Sequence, residues 1–449
     1  MRQNKKLLQE PIPKLLKDIA IPASTGMFFN TMYNVVDTFY AGLISTQAIA
    51  ALSISFMFFF VIIGMGYGFS SAIIALIGNA MGKKRHLLAS IYAHKGVTFI
   101  PLLGIFLTII GYIFAPDLFR LLGARDEYLQ ISLDYIHPIL FGTIFFMFNF
   151  AFNAILVSRG DTKTYRNTLI FGFFANLVLN PLFIYGFLFI PAMGIKGIAI
   201  ATVLIQFINM FYMLRKVLDT KLIHFNKLVY FLPNIRVYKT IFAQGYPASL
   251  NMLTMAIGSI ILMYFVSTYG VNAVAGYGIG FRVEQLMLLP ALGLSTATLS
   301  IISNNYGAKK YDRVILTLNT ALKYGYMISL FGVVFLYIFG EMLIRMFDPN
   351  ELVIQFGLDY LLIEVWLFFA FVTLFVCVST LQGIKKPKMI FYVGLYRQIV
   401  AKLLVAIIIV TYLELDITYL WYGILVMIYS AAIFLYCYTK VTLKKILPQ

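Results

Sequence analysis

Asp37 is an acidic residue inside a long apolar stretch. Asn30, Tyr33 and Asn34 precede it at three- and four-residue intervals, so on a helix these residues share one polar stripe. Other apolar stretches carry Asn149 and Asn153, then Asn176 and Asn180, each pair four apart, and a further one carries Thr202. A charged carboxylate at mid-membrane costs about 2.5–3.5 kcal/mol on insertion scales, so such a residue is a functional candidate by default. The amides and the hydroxyl are expected to converge with Asp37 on a polar interior. Adhesion between helices explains one asparagine pair well, but explains less well a carboxylate among several. The chemistry that fits is reversible titration of a buried acid. Glu284 is the second acid well inside an apolar stretch, and Glu364 lies nearer an end. Arg282, two positions before Glu284, points to a different side of a helix. Glu284 as an ion-pair partner and Glu284 as a substrate or proton site are both open readings.

The apolar residues around these stripes are rich in Met and Phe, among them Met27, Phe28, Phe29, Met32, Met57, Phe58, Met252 and Met255. Methionine repacks around different shapes, and aromatic faces attract organic cations. A cavity lined by Met32, Tyr33, Asn34, Asn149, Asn153, Met252 and Glu284 would suit amphipathic, cationic compounds. Any one of these apolar residues, taken singly, is more simply read as packing.

The elements that must hold these groups are membrane helices. Hydrophobic residues make up 61% of the 449 and charged residues only 12%, about half the charged share of a soluble domain. With roughly 20 apolar residues per span, about twelve spans fit. They lie near 17–42, 49–77, 92–115, 133–157, 168–190, 194–214, 240–268, 273–303, 316–340, 356–382, 388–412 and 416–439. The segment 340–357 reads as an extracytoplasmic loop with an interfacial helix. The basic stretch around 215–239 separates two halves, giving a six-helix bundle at 1–216, a cytoplasmic linker at 217–238 and a second six-helix bundle at 239–449.

The net charge of +17 is not a nucleic-acid signature. Lys and Arg gather at alternate span ends, as at Lys83, Lys84 and Arg85, at Lys309 and Lys310, and at Lys385 and Lys386. That is the positive-inside bias, and it puts both termini in the cytoplasm. The basic charge then faces a lipid surface. Residues 1–16 lack the apolar core of a cleavable signal peptide. Cys377 and Cys437 read as free thiols, and no spacing suits a metal. The four histidines are dispersed, and HExxH, paired-aspartate and P-loop motifs are absent. The chain therefore reads as neither an enzyme nor a direct user of ATP, with no cofactor.

Residues 22–84 recur in register at 247–309. Pro22, Ala23, Ser24, Ala50, Gly68, Ser70, Ala72, Asn79, Gly82 and Lys84 return as Pro247, Ala248, Ser249, Ala275, Gly293, Ser295, Ala297, Asn304, Gly307 and Lys309. A half-chain repeat in so apolar a protein is the usual build of a transporter. Pro22 and Pro247 each free a carbonyl one turn earlier, and Pro22 is a candidate hinge.

IAIPAS at 19–24, VVDTFYAGL at 35–43, ANLVLNPLFIYG at 175–186, GNAMGKKR at 78–85 and NNYGAKKYDR at 304–313 together resemble the multidrug and toxic compound extrusion (MATE) transporters. The likeness covers nearly the whole chain and is greatest to the DinF-like branch. It implies an all-α membrane fold of twelve helices in two pseudo-symmetric six-helix bundles, in a V around a central cavity. It implies an efflux antiporter of a bacterial inner membrane, a monomer that exports small organic compounds while H+ or Na+ enters. The family's first-helix acid falls on Asp37, its fifth-helix Asn on Asn176, its sixth-helix Thr on Thr202 and an eighth-helix Glu on Glu284. One departure stands out: the branch often has a second carboxylate where this chain has Asn180. With one formal charge left, a proton suits the site better than sodium. Flipping of a lipid-linked sugar or cell-wall precursor, known in related folds, is the alternative function.

Overall fold

A computed structural model describes residues 2–226 and 228–446. Among them the secondary structure is helical, apart from one isolated bridge between Phe187 and Ile190. The helices are α1 (Arg2–Gln9), α2 (Ile12–Ile44), α3 (Thr46–Gly82), α4 (His86–Leu121), α5 (Asp126–Val157), α6 (Lys163–Tyr185) and α7 (Ile195–Asp219). They continue as α8 (Ile235–Ser267), α9 (Val271–Gly307), α10 (Tyr311–Arg345), α11 (Glu351–Glu364), α12 (Leu367–Gly383), α13 (Lys388–Tyr412) and α14 (Ile417–Ile446). Lipid offers no hydrogen-bond partner, so a crossing chain must satisfy its backbone internally, and helices do so.

Ten of these helices are long and apolar enough to cross a membrane, and α11 with α12 makes an eleventh span bent by 51°. The remaining long helix is α2, whose polar stripe and Lys14, Lys17 and Asp18 lower its apolar character. With α2 the long helical elements number twelve among the described residues, roughly the number the spacing predicts. Two details differ from expectation. The span at 356–382 is broken after Glu364, and no separate interfacial helix occupies 340–357, where α10 runs to Arg345 and α11 begins at Glu351. Helix α13 contains two π-helical turns, Tyr396–Val400 and Ile407–Tyr412.

The chain forms two compact units. One is built from Thr25–Ser249. The other joins Lys5–Ser24 to the chain from Leu250 onward. The divisions fall inside α2 and α8, two residues after Pro22 and two after Pro247. Each half of the repeat therefore gives the start of its first helix to the other unit.

The repeat has physical content in both units. A Cβ added to Gly68 would lie 2.1 Å from Ser249 Oγ and 2.4 Å from its backbone nitrogen. One added to Gly293 would lie 2.0 Å from Ser24 Oγ and 2.6 Å from the Ala20 carbonyl. Only glycine permits such helix crossings. Ser70 donates to the Phe150 carbonyl, and its repeat mate Ser295 donates to that of Phe375. Lys84 and Lys309 both adopt a left-handed conformation, φ 58°, where the chain leaves α3 and α9. The backbone amide after each, of Arg85 or Lys310, bonds back to the helix end in the pattern of a left-handed cap.

The connection between α7 and α8 packs on the Thr25–Ser249 unit. Lys95 donates to the carbonyls of Tyr230 and Leu232, Ser90 to that of Leu222 at 2.7 Å, and Arg159 to that of Thr220 at 2.6 Å. In the other unit, Arg313 holds the carbonyls of Leu7 and Glu10, fixing the exit of α1.

Candidate functional site

Asp37 lies two turns from the end of α2 and is only 5% exposed. Its Oδ1 accepts from Asn176 Nδ2 at 2.7 Å and from Asn180 Nδ2 at 2.9 Å. Both amides sit on α6, four residues apart, so one helical face presents them together. Its Oδ2 receives the Thr202 hydroxyl from α7 at 3.5 Å, a long contact. The Tyr33 hydroxyl donates to Thr202 Oγ1 at 3.0 Å, and Asn176 Nδ2 also reaches the Tyr33 carbonyl at 3.4 Å. Tyr135 of α5 is within electrostatic range of the acid. All these residues belong to one unit.

Three helices thus surround one carboxylate with neutral donors. Among the described residues no Lys, Arg or His nitrogen lies within 4.0 Å of it. The Oδ1 atoms of Asn176 and Asn180 are buried without a hydrogen-bond partner. Buried polar atoms are nearly always satisfied, so two orphaned acceptors beside one acid mark a polar interior with spare capacity. Such a group can hold a negative charge by hydrogen bonding, or accept a proton or an oxygen-seeking cation.

The other sequence candidates fall elsewhere. Asn149 is buried, but its amide binds Gln206, at 3.0 Å to the carbonyl and 2.9 Å to Oε1, and not Asp37. Asn153 keeps a buried Oδ1 with no partner. Asn30 and Asn34 are exposed, so of the α2 stripe only Tyr33 and Asp37 face the buried side. Met32 is half-buried, and Met252 is half-buried in the other unit. Pro22 is buried, and α2 continues through it.

Glu284 anchors a second polar group. It is 4% exposed and accepts the Tyr360 hydroxyl, while Arg282 beside it is exposed. Glu364 and Lys402 are buried within electrostatic range, and Lys402 donates to Gln398 Oε1 at 3.3 Å. Glu364 Oε1 has no partner. Tyr360 is the repeat mate of Tyr135, so each unit sets a tyrosine from the same helix position beside its buried acid. The 225-residue offset could have revealed this pairing. The Gln206 contact had no sequence signal beyond lying on the helix that carries Thr202.

The MatE family model matches this chain twice, over residues 22–182 and 247–408. The two matches are separated by the repeat offset. The chain belongs to the MATE family. A probable multidrug resistance protein of Bacillus subtilis (strain 168), YoeA, is 27% identical over 407 residues, covering 90% of this chain and 88% of that one. An FAD transporter of Shewanella oneidensis is 26% identical, covering 81% of this chain and 80% of its own length. A multidrug resistance MATE transporter solved in an outward-facing conformation superposes with TM-score 0.91 at 25% identity, covering 99% of this chain and 98% of that chain. Asp37, Asn176, Asn180 and Pro22 all fall in the first MatE match, and Glu284 and Lys402 in the second. This MATE chain is a multi-pass membrane transport protein.

Proposed function

We propose that this protein is a secondary active exporter of small amphipathic or cationic organic compounds, driven by an ion that binds at Asp37. The observation that carries the reading is the buried carboxylate held only by neutral donors from α6 and α7. An acid paired with Lys or Arg is already neutralised, whereas this one is not. With Asp37 ionised, two amides and a hydroxyl point at it. On protonation one oxygen becomes a donor, and the contact with Thr202 or with the amides must rearrange. That rearrangement links ion occupancy to the position of α2 against α6 and α7. Alternating access follows if this shift is transmitted through Pro22. The names of relatives of similar length support an organic substrate.

Sodium is the second reading. The orphaned oxygens of Asn176 and Asn180, turned inward with Thr202 and Asp37, would offer an all-oxygen ligand set of the kind hard cations take. With a single formal charge in the group, the proton remains the first choice. The orientation we assign follows the basic loops: both termini cytoplasmic, in the plasma membrane of a bacterium, with the monomer as the working unit.

The test is substrate efflux from proteoliposomes under a pH gradient or a sodium gradient imposed separately. The pH gradient alone should drive efflux, and Asp37→Asn should abolish the driven component while the protein still inserts and folds. Undiminished driven efflux by Asp37→Asn would refute the assignment.

A further inference from the structure

Helices α10, α12 and α14 border an open groove of about 560 Å³ on the unit that contains residues 250 onward. That volume lies within the range of small-molecule sites. It is lined by Tyr326, Met327 and Leu330 of α10, Phe369 of α12 and Tyr436 of α14. Thr373 of α12 satisfies the Tyr326 hydroxyl at 2.8 Å, so the tyrosine presents its ring to the cleft. At one end Lys440 of α14 reaches across to Asn319 Oδ1 of α10 at 3.1 Å and lies over the Tyr436 ring. Lys323, one turn beyond Asn319 on α10, also lines the groove. Among the described residues neither lysine has an acidic partner within 4.0 Å.

The cleft has polarity along its length. The connections α9–α10 and α12–α13, with Lys309, Lys310, Lys385 and Lys386, lie at the end where α14 finishes. At 1.5 Å per residue, Asn319 and Lys440 sit about 10 Å from that end, and Leu330 and Phe369 about 20–30 Å from it. Lys440 therefore stands near the basic membrane surface. Lys323 is rooted one turn deeper than Asn319, about 18 Å from that end, with a side chain long enough to reach back toward it, and the aromatic and aliphatic residues run on into the hydrocarbon.

We infer that this cleft binds an anionic phospholipid from the leaflet on the basic side, its phosphate between Lys323 and Lys440 and one acyl chain between α10 and α14. The charge selects the occupant. Basic pockets between spans on the positive side match anionic headgroups, whereas an organic cation would meet two like charges. The lipid would brace α10 against α14, which touch α12 but share few direct contacts with each other.

The experiment is native mass spectrometry of the purified full-length protein, delipidated and then titrated with phosphatidylglycerol or phosphatidylcholine of matched chains. One phosphatidylglycerol should be retained in clear preference to phosphatidylcholine. Lys323→Ala and Lys440→Ala should each weaken that retention about fivefold, as expected for one cation near a charged surface, while Lys440→Arg keeps it. Met327→Trp, which fills the cleft, should displace the lipid without removing a charge. Equal retention of both lipids by the unmodified protein would overturn the inference even if every variant misfolded. An unchanged preference in the double lysine variant, or a dimer that covers this face regardless of lipid, would overturn it as well.

Discussion

Asn176 and Asn180 commit their N–H groups to the same atom, Asp37 Oδ1, while Thr202 stands 3.5 Å from Oδ2. A hydrogen bond to a charged group contributes about 1.5–3 kcal/mol, and a stretched one less. The three partners are therefore unequal. Asn176→Ala and Asn180→Ala should each lower gradient-driven efflux about tenfold, with Thr202→Val nearer twofold. Because the two amides share one acceptor, their effects should not add in the double variant. Initial efflux rates in proteoliposomes decide this, and Thr202→Val as damaging as either amide loss would contradict the ranking. The relation of Asp37 to the α6 amides was legible in the sequence, since spacing of four sets Asn176 and Asn180 on one helical face. The partners of Asn149 were not. Periodicity fixes the face a residue occupies, but the neighbour that face meets depends on helix packing, and here it is Gln206.

At the scale of elements, the repeat foretold more than a count of spans. Gly68 and Gly293 recur because in each unit a first-helix serine packs against them, with Ser249 and Ser24 as the partners. A serine side chain can rotate away, but the Ser249 nitrogen and the Ala20 carbonyl are backbone and cannot. Gly68→Ala or Gly293→Ala should therefore cost about 1–3 kcal/mol through overpacking. Gly278, on the same helix as Gly293, has open space where a Cβ would stand, with nothing within 4 Å. Gly278→Ala should be neutral or slightly stabilising, since alanine is the better helix former. Thermal unfolding in detergent checks the contrast, and equal losses for Gly278→Ala and Gly293→Ala would refute it. Other features stayed hidden because no local rule encodes them. The break between Glu364 and Leu367 and the π turns of α13 interrupt apolar runs that carry no proline at those points. Buried polar groups lie at or beside them, Glu364 at the break and Arg397 and Lys402 at the first π turn.

At the scale of the whole molecule, the two long helices that change unit do so at the same repeat position. Ser24 ends one segment and Ser249 the other, each two residues past a proline. The sequence showed the prolines and their register. It could not show that unit membership changes there, because that depends on contacts far apart along the chain. A proline inside a helix removes one backbone bond and is the commonest cause of a bend. Placed where a helix passes from one packed body to the next, it makes the weakest point coincide with the boundary. Elsewhere in α2 a bend would disturb packing within a unit, and here it need not. The connection at 220–234 does not supply this freedom, since Lys95, Ser90 and Arg159 hold it to one unit. Pro22→Ala and Pro247→Ala restore the missing bond and should stiffen the crossing. Efflux should fall severalfold in each and further in the double variant, while binding of a fluorescent substrate at equilibrium stays within twofold. Pulsed electron paramagnetic resonance between one label in each unit supplies the second readout. The native protein should show two distance populations that shift with pH, and the double variant one population that does not. Two populations persisting in that variant, with efflux intact, would place the bending elsewhere than at these prolines.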